Sequence, residues 1–231
     1  MKGILSDIAG VFMPRSCHMC GGTLRESERT LCVRCVEMLP RSLYHRMPLN
    51  PMERRFAGIV PFVRATSHFI YSRNSELAAA IHDMKYRGFP SVGRRLGEIV
   101  GEELHMAGFF SGADCVAGVP MHWWKQACRG YNQTDFIARG IGEATGLPVA
   151  DALEASRSHK TQTAMTLEQR LANLAGSFRV KDPDALRGRG LVIVDDVCTT
   201  GSTLRSLAAE VAAAVPDCRI YLLSLCVTVS K

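Results

Sequence analysis

Two short stretches of the chain gather side chains with the power to hold a ligand. In the first, Cys17-x-x-Cys20 and Cys32-x-x-Cys35 are separated by eleven residues. Thiolates with two residues between them sit on one tight knuckle and offer both sulfurs to a single ion. Two such pairs supply the tetrahedral corners that Zn²⁺ favours. Gly21-Gly22, directly after the first pair, provides the positive φ such a knuckle often needs. Four sulfur ligands leave no open coordination position, so the predicted role is structural: the metal orders a segment too small to fold on a core of its own. A redox dithiol and coincidental spacing are the rival readings. His18 lies between two ligands, is not needed as a fifth, and reads as a surface residue.

The second stretch runs Leu191-Val192-Ile193-Val194-Asp195-Asp196-Val197-Cys198-Thr199-Thr200-Gly201-Ser202-Thr203. Four apolar residues predict a buried parallel strand, and two acids then stand at its carboxyl end, where open α/β sheets bind ligands. A small hydroxyl-rich loop follows and leads into a helix whose inner face is Leu204, Leu207, Ala208, Val211, Ala212 and Val215. Backbone N–H groups of residues 199–203 and the helix dipole form an anion cradle. Gly201 lets the backbone come close to a phosphate, and the hydroxyls of Thr199, Thr200, Ser202 and Thr203 add donors. Neither a Walker lysine nor a Gly-x-Gly-x-x-Gly run accompanies the loop, which sets aside ordinary ATPase and dinucleotide sites. The acid pair is suited to accept hydrogen bonds from vicinal hydroxyls, as on a ribose 5-phosphate.

Those groups need a scaffold, and the rest of the chain predicts one. Ser75 caps a helix through Arg87 with Gly88 as its stop, and Pro90 opens another using Val92, Leu96, Ile99, Val100 and Leu104. Residues 115–119 predict a short buried strand, residues 133–145 a helix stopped by Gly146, and residues 147–153 a further strand. A capping box of Thr166 and Gln169 starts a helix through Leu174, and residues 202–215 and 219–229 close the chain as helix and strand. Strands separated by helices of this length predict an α/β domain with a largely parallel sheet. Residues 40–60, rich in Pro, Arg and Met, read as a linker crossing a surface. The predicted organisation is residues 1–50 as amphipathic helix, zinc ribbon and linker, and residues 51–231 as the α/β domain.

Composition narrows the classes further. A chain of 231 residues with 47% hydrophobic and 22% charged residues is globular, which excludes disordered, collagen-like and coiled-coil readings. Nine cysteines cannot all pair, and their uneven placement is unlike a secreted disulfide scaffold. The apolar run at the N-terminus is broken by Lys2, Ser6 and Asp7 and ends at Pro14-Arg15. It is too short for a bilayer span and lacks a cleavage site. It reads as a short amphipathic helix on its own protein, with membrane-surface contact as the minority view. A cytoplasmic protein is expected. The formal charge of +6 favours phosphates or polyanions.

The stretch from Asp195 to Thr203 resembles the binding motif of type I phosphoribosyltransferases, which hold phosphoribosyl pyrophosphate. The resemblance implies that Asp195 and Asp196 contact the ribose hydroxyls and that Thr199, Thr200, Gly201, Ser202 and Thr203 hold the 5-phosphate. Three more segments, Met84-Lys85-Tyr86-Arg87-Gly88, Arg129-Gly130-Tyr131-Asn132-Gln133, and Lys160-Thr161-Gln162 leading to Gln169-Arg170-Leu171-Ala172-Asn173, narrow it. With the cysteine ribbon they resemble the ComF family of competence-associated phosphoribosyltransferase-like proteins, over essentially the whole chain. That implies a type I phosphoribosyltransferase-like, mostly parallel sheet flanked by helices, with a small N-terminal four-cysteine zinc ribbon. It also implies Mg²⁺-dependent binding of phosphoribosyl pyrophosphate and a role with single-stranded DNA in uptake of transforming DNA. DNA-uptake or recombination proteins are the implied partners. The alternative is an active phosphoribosyltransferase acting on a small nucleobase or amine acceptor.

By the same resemblance, Met121, His122, Lys125 and Arg129 fall at the pyrophosphate loop. Arg157 and Lys160 fall on a mobile loop that would neutralise the departing pyrophosphate while Mg²⁺ bridges it. The bland reading of these residues is solvated loop charge. Lys85 and Arg87 either contact the site or complement a helix dipole, and Asn132 and Gln133 either join it or simply begin a helix. Trp123 and Trp124 either stack on bases or pack in the core. The chain starts Met1-Lys2, without the N-terminal Cys of glutamine amidophosphoribosyltransferases, so glutaminase activity is not expected.

Overall fold

The strand that carries the acid pair lies inside a sheet because its side chains are apolar on both faces. In the computed structural model, which describes residues 15–156 and 176–228, this strand is β5, Gly190–Cys198. Leu191 and Ile193 face one apolar cluster, while Val192 and Val194 face another. That two-sided burial is what a parallel sheet with helices on both faces demands. The other strands are β1, Arg64–Tyr71, β2, Cys115–Gly118, and β6, Arg219–Thr228. The main sheet has the order β1-β6-β5-β2, and every pairing in it is parallel.

On one face lie α3, Glu76–Tyr86, α4, Pro90–Met106, and α6, Gln133–Thr145. α3 is capped as its sequence predicts: the Ser75 hydroxyl accepts from Ala78 N at 3.2 Å, and Gly88 takes φ +78°. α4 and α6 approach closely. A Cβ on Gly97 would collide with the Ile137 carbonyl, and one on Gly140 with the Arg94 carbonyl, so small residues set the distance between these helices. Buried ribbon residues Cys17, Leu24, Leu31, Cys35 and Leu39 belong to the same apolar cluster as Leu77, Ile81 and Val100. A short helix, α1, Val33–Glu37, carries Cys35.

The opposite face holds α2, Pro51–Phe56, and α7, Ser202–Ala214, packed with the small antiparallel pair β3, Leu153–Ala155, and β4, Phe178–Val180. Here the structure corrects the reading of residues 40–60 as a surface linker. Asn50 caps α2 in a reciprocal capping box with Glu53, and Met52 and Phe56 are buried. The Pro- and Arg-rich composition hid two apolar residues four apart, which share one face of a helix.

Residues 147–153 are not one strand. Pro148 O and Ala150 N bond Val116 at the outer edge of β2, after which the chain leaves for β3. The opposite edge of the sheet is covered by the segment after the ribbon: Ile70 N donates to Pro40 O at 2.8 Å and Ser42 N to His68 O at 2.8 Å. Trp123–Arg129 forms a further helix, α5, that the sequence reading did not anticipate. Among the described residues no helix is long and apolar enough to cross a membrane. The expected helices at the N-terminus and at residues 166–174, and the loop with Arg157 and Lys160, lie outside the described residues.

Candidate functional site

The acid pair stands at the carboxyl end of β5, and successive residues of a strand point to opposite faces. Asp196 therefore shares the face of Val192 and Val194 and meets α3 and α6. It is 6% exposed, and both its oxygens are engaged: Lys85 Nζ donates to Oδ1 at 2.9 Å, and Gln133 Nε2 donates to Oδ2 at 2.6 Å. A buried carboxylate is tolerable when paired and hydrogen-bonded in this way. Asp195 points to the other face and is half-buried. Its Oδ1 accepts from the Asp196 backbone N–H at 2.9 Å. Burial, reinforced by the neighbouring Asp196 charge, pushes the Asp195 carboxyl up to about 7. The two acids, equivalent in the sequence, thus have different surroundings.

Gln133 reaches Asp196 because the start of α6 is tied to the end of β2. Asn132 Nδ2 donates to Val119 O at 3.1 Å, and Thr134 Oγ1 donates to the same carbonyl at 2.7 Å. Gln133 Oε1 in turn accepts from Arg129 Nη1, whose guanidinium lies 5.2 Å from the centre of the Tyr86 ring. The Tyr131 hydroxyl donates to Met84 O. Lys85 and Gln133 are thus more than a dipole complement and a helix start. They were absent from the sequence-derived ligand set because their partner lies 111 and 63 residues away.

Past the acids, the loop turns at Gly201, which has φ +78° and caps α7. A Cβ there would lie 3.1 Å from the Phe56 ring, so α2 sits directly under the turn. Arg55, on the same helix, donates to Thr199 O. The Thr200 and Ser202 hydroxyls bond one another at 3.0 Å. Arg55 and Phe56 are further participants the sequence reading missed, since they lie in the stretch read as a linker. Cys198 is 2% exposed, and burial pushes its thiol up to about 11, which leaves it no nucleophile at neutral pH.

Of the residues expected at a pyrophosphate loop, Met121 and His122 follow β2 and are half-buried, while Lys125 is exposed on α5. The His122 ring accepts from Trp124 N at 3.4 Å at the start of that helix. Trp123 and Trp124 are 51% and 60% exposed, so neither serves the core. Arg157 and Lys160 fall outside the described residues.

At the ribbon, the sulfurs of Cys17, Cys20, Cys32 and Cys35 all lie within 4.8 Å of one another. Cys20 and Cys32 are 3.8 Å apart, about the edge of a tetrahedron whose Zn–S bonds are ~2.3 Å. Gly21 takes φ +71°, and Cys32 N donates to Cys17 Sγ at 3.4 Å, as knuckle geometry requires. The four residues fit a structural zinc ion. His18 is not a plain surface residue: its Nδ1–H donates to Asp83 Oδ2 at 2.8 Å, and its ring lies 4.4 Å from that of Phe89.

A family model described as Phosphoribosyl transferase domain matches residues 129–229, from the Arg129 network through the acid pair to the last strand. The chain is 28% identical over 196 residues to the DNA utilization protein YhgH of Escherichia coli (strain K12), covering 83% of this chain and 82% of that one. It is 29% identical over 97 residues to Competence protein F of Haemophilus influenzae, covering 41% of this chain and 42% of the other. Among solved structures, glutamine phosphoribosylpyrophosphate amidotransferase from B. subtilis aligns with a TM-score of 0.44 at 21% identity, over 62% of this chain and 30% of that one. The family match, the sequence relatives and the four-cysteine group together make the chain similar to ComF-like type I phosphoribosyltransferases.

Proposed function

We propose that this chain binds phosphoribosyl pyrophosphate with Mg²⁺ at the carboxyl end of β5, and that it handles single-stranded DNA during DNA uptake in the cytoplasm. One observation carries the first half: the Asp195-Asp196 pair is followed at once by a turn whose Gly201 opens α7. An acceptor pair for vicinal hydroxyls beside a cradle of backbone N–H groups matches the two ends of a ribose 5-phosphate. Thr199, Thr200, Ser202 and Thr203 add hydroxyl donors on the phosphate side. Mg²⁺ would arrive with the pyrophosphate, which is met by Met121, His122, Lys125 and Arg129, with Arg157 and Lys160 adding positive charge.

The names of the relatives, DNA utilization and competence, support the second half. So do the exposed rings of Trp123 and Trp124, next to Lys125. Aromatic faces beside basic residues suit unpaired bases, each stack contributing about 1–3 kcal/mol.

Calorimetry tests both halves in one series. Phosphoribosyl pyrophosphate with Mg²⁺ is expected to bind the wild type and not Asp195→Asn/Asp196→Asn. A single-stranded oligonucleotide is expected to bind with an affinity that falls steeply with salt and drops in Trp124→Ala. Absence of phosphoribosyl pyrophosphate binding at millimolar Mg²⁺ overturns the first half, and absence of oligonucleotide binding at low salt overturns the second. Release of pyrophosphate on adding a nucleobase or amine acceptor would extend the reading from binding to transfer.

A further inference from the structure

The last turn of α3 is held from two sides. On one side His18, from between two ribbon cysteines, donates to Asp83 Oδ2 at 2.8 Å and lies 4.4 Å, ring centre to ring centre, from Phe89. On the other, Lys85 reaches Asp196 at 2.9 Å while the Tyr131 hydroxyl holds Met84 O. Residues two apart on a helix point in nearly opposite directions, at about 100° per residue, so Asp83 and Lys85 cannot serve the same neighbour. Lys85 is the penultimate residue of α3, within the part of a helix that frays. Its ammonium stays on Asp196 only if that turn is kept wound.

We propose that His18 is a positioning residue: by fixing the last turn of α3 it keeps Lys85 on Asp196, and so the zinc-held ribbon sets ligand affinity at the ribose end of the site. The inference rests on the reading that the site binds phosphoribosyl pyrophosphate. The ribbon contributes no ligand-binding group in this scheme. Its effect passes through one hydrogen bond, one helical turn and one ion pair, all present among the described residues.

The test uses the full-length zinc-loaded chain and three variants, His18→Ala, Asp83→Ala and Lys85→Met, with zinc content measured for each by a colorimetric chelator. Each single variant is expected to retain one zinc per chain and to lose about 5- to 20-fold in affinity for phosphoribosyl pyrophosphate with Mg²⁺, within the usual range for coupled sites. His18→Ala/Lys85→Met is expected to be no weaker than Lys85→Met alone, because both changes break the same chain of contacts. Hydrogen exchange of the amides of residues 83–87 is expected to accelerate in His18→Ala. The inference is overturned if His18→Ala and Asp83→Ala keep zinc and bind like the wild type, or if the losses in the double variant simply add. If the wild type itself does not bind, the reading of the site has failed, and unchanged exchange at residues 83–87 in His18→Ala would then overturn the positioning role as well.

Discussion

The ribbon and the β5–loop–α7 unit are both contiguous in sequence, yet they reach order by opposite routes. β5 is fixed by burial: Leu191, Val192, Ile193 and Val194 have no exposed surface, and both neighbouring strands pair with it in parallel. Its functional groups then stand at a fixed edge of the sheet. The ribbon of residues 15–39 is too short to enclose a core of its own, and its buried Cys17, Leu24, Leu31, Cys35 and Leu39 pack into the apolar cluster of α3 and α4. Its four sulfurs converge within 4.8 Å, an arrangement of thiolates that is repulsive without a cation. One region carries chemistry on a scaffold that is stable for other reasons, and the other uses chemistry to become a scaffold. The difference predicts separate vulnerabilities.

Removing zinc breaks the comparison most sharply. Structural zinc in peptides of this kind contributes ~10–16 kcal/mol to folding. Chelation is therefore expected to unfold residues 15–39 while leaving slow amide exchange in β5 and β6, read by hydrogen-exchange mass spectrometry. Loss of protection in the ribbon and the sheet together would mean that the two fold as one unit.

Within the α/β unit, Lys85→Met leaves Asp196 buried without its cation. Breaking a buried pair from one side costs about 3–5 kcal/mol, so denaturant unfolding is expected to shift by that order at neutral pH. Lys85→Met/Asp196→Asn is expected to recover most of the loss, because the lone buried charge is gone. Failure of that rescue would show that Lys85 stabilises through packing of its stem.

Gly201→Val tests the loop. The position combines φ +78° with a Phe56 ring 3.1 Å from where a Cβ would sit, and a β-branched residue in left-handed backbone costs on the order of 1–3 kcal/mol. The expected outcome is a modest fall in Tm together with loss of phosphoribosyl pyrophosphate binding. Retained binding would remove Gly201 from the cradle.

The smallest effect concerns pH. With its carboxyl raised to about 7, Asp195 is largely protonated below that pH in the free protein and must lose its proton to act purely as an acceptor. Ligand affinity is then expected to fall by up to about tenfold per pH unit below the raised value, and the slope should flatten in Asp195→Asn. The stability sign is opposite. Because the folded value lies above the ordinary aspartate value of about 3.9, this group stabilises the fold at low pH and loses that contribution as pH rises through about 7. Asp195→Asn should therefore stabilise the free protein at pH 8 relative to pH 5, as chemical denaturation at the two values would reveal.

Much of this architecture was legible along the chain. Helix α3 with its Ser75 cap, α6 with its Gly146 stop, and the strand into the acid pair follow from apolar periodicity and capping chemistry, which act over a few residues. The four-cysteine cluster and the glycine turn into α7 were legible for the same reason, since all the groups of each fall within about twenty residues. The stretch of residues 40–60 was misread because its buried apolar residues, Met52, Phe56 and Val60, are too few to register against its prolines and arginines.

By itself the sequence determined the local units: two knuckles of thiols, a strand ending in two acids, and a glycine turn that opens a helix. Each depends on backbone conformation and short-range spacing. Only the tertiary structure decided that Asp196 is held by Lys85 and Gln133 while Asp195 remains half-buried with a raised carboxyl. It likewise decided that Arg55 and Phe56 pack against the turn at Thr199–Gly201 and that His18 joins the ribbon to α3. The hydrogen bonds among these pairings span 63 to 144 residues, and neither propensity nor periodicity carries information across such separations. They exist because packing two layers of helices against one parallel sheet brings distant charges to the same buried edge, where each must find a partner.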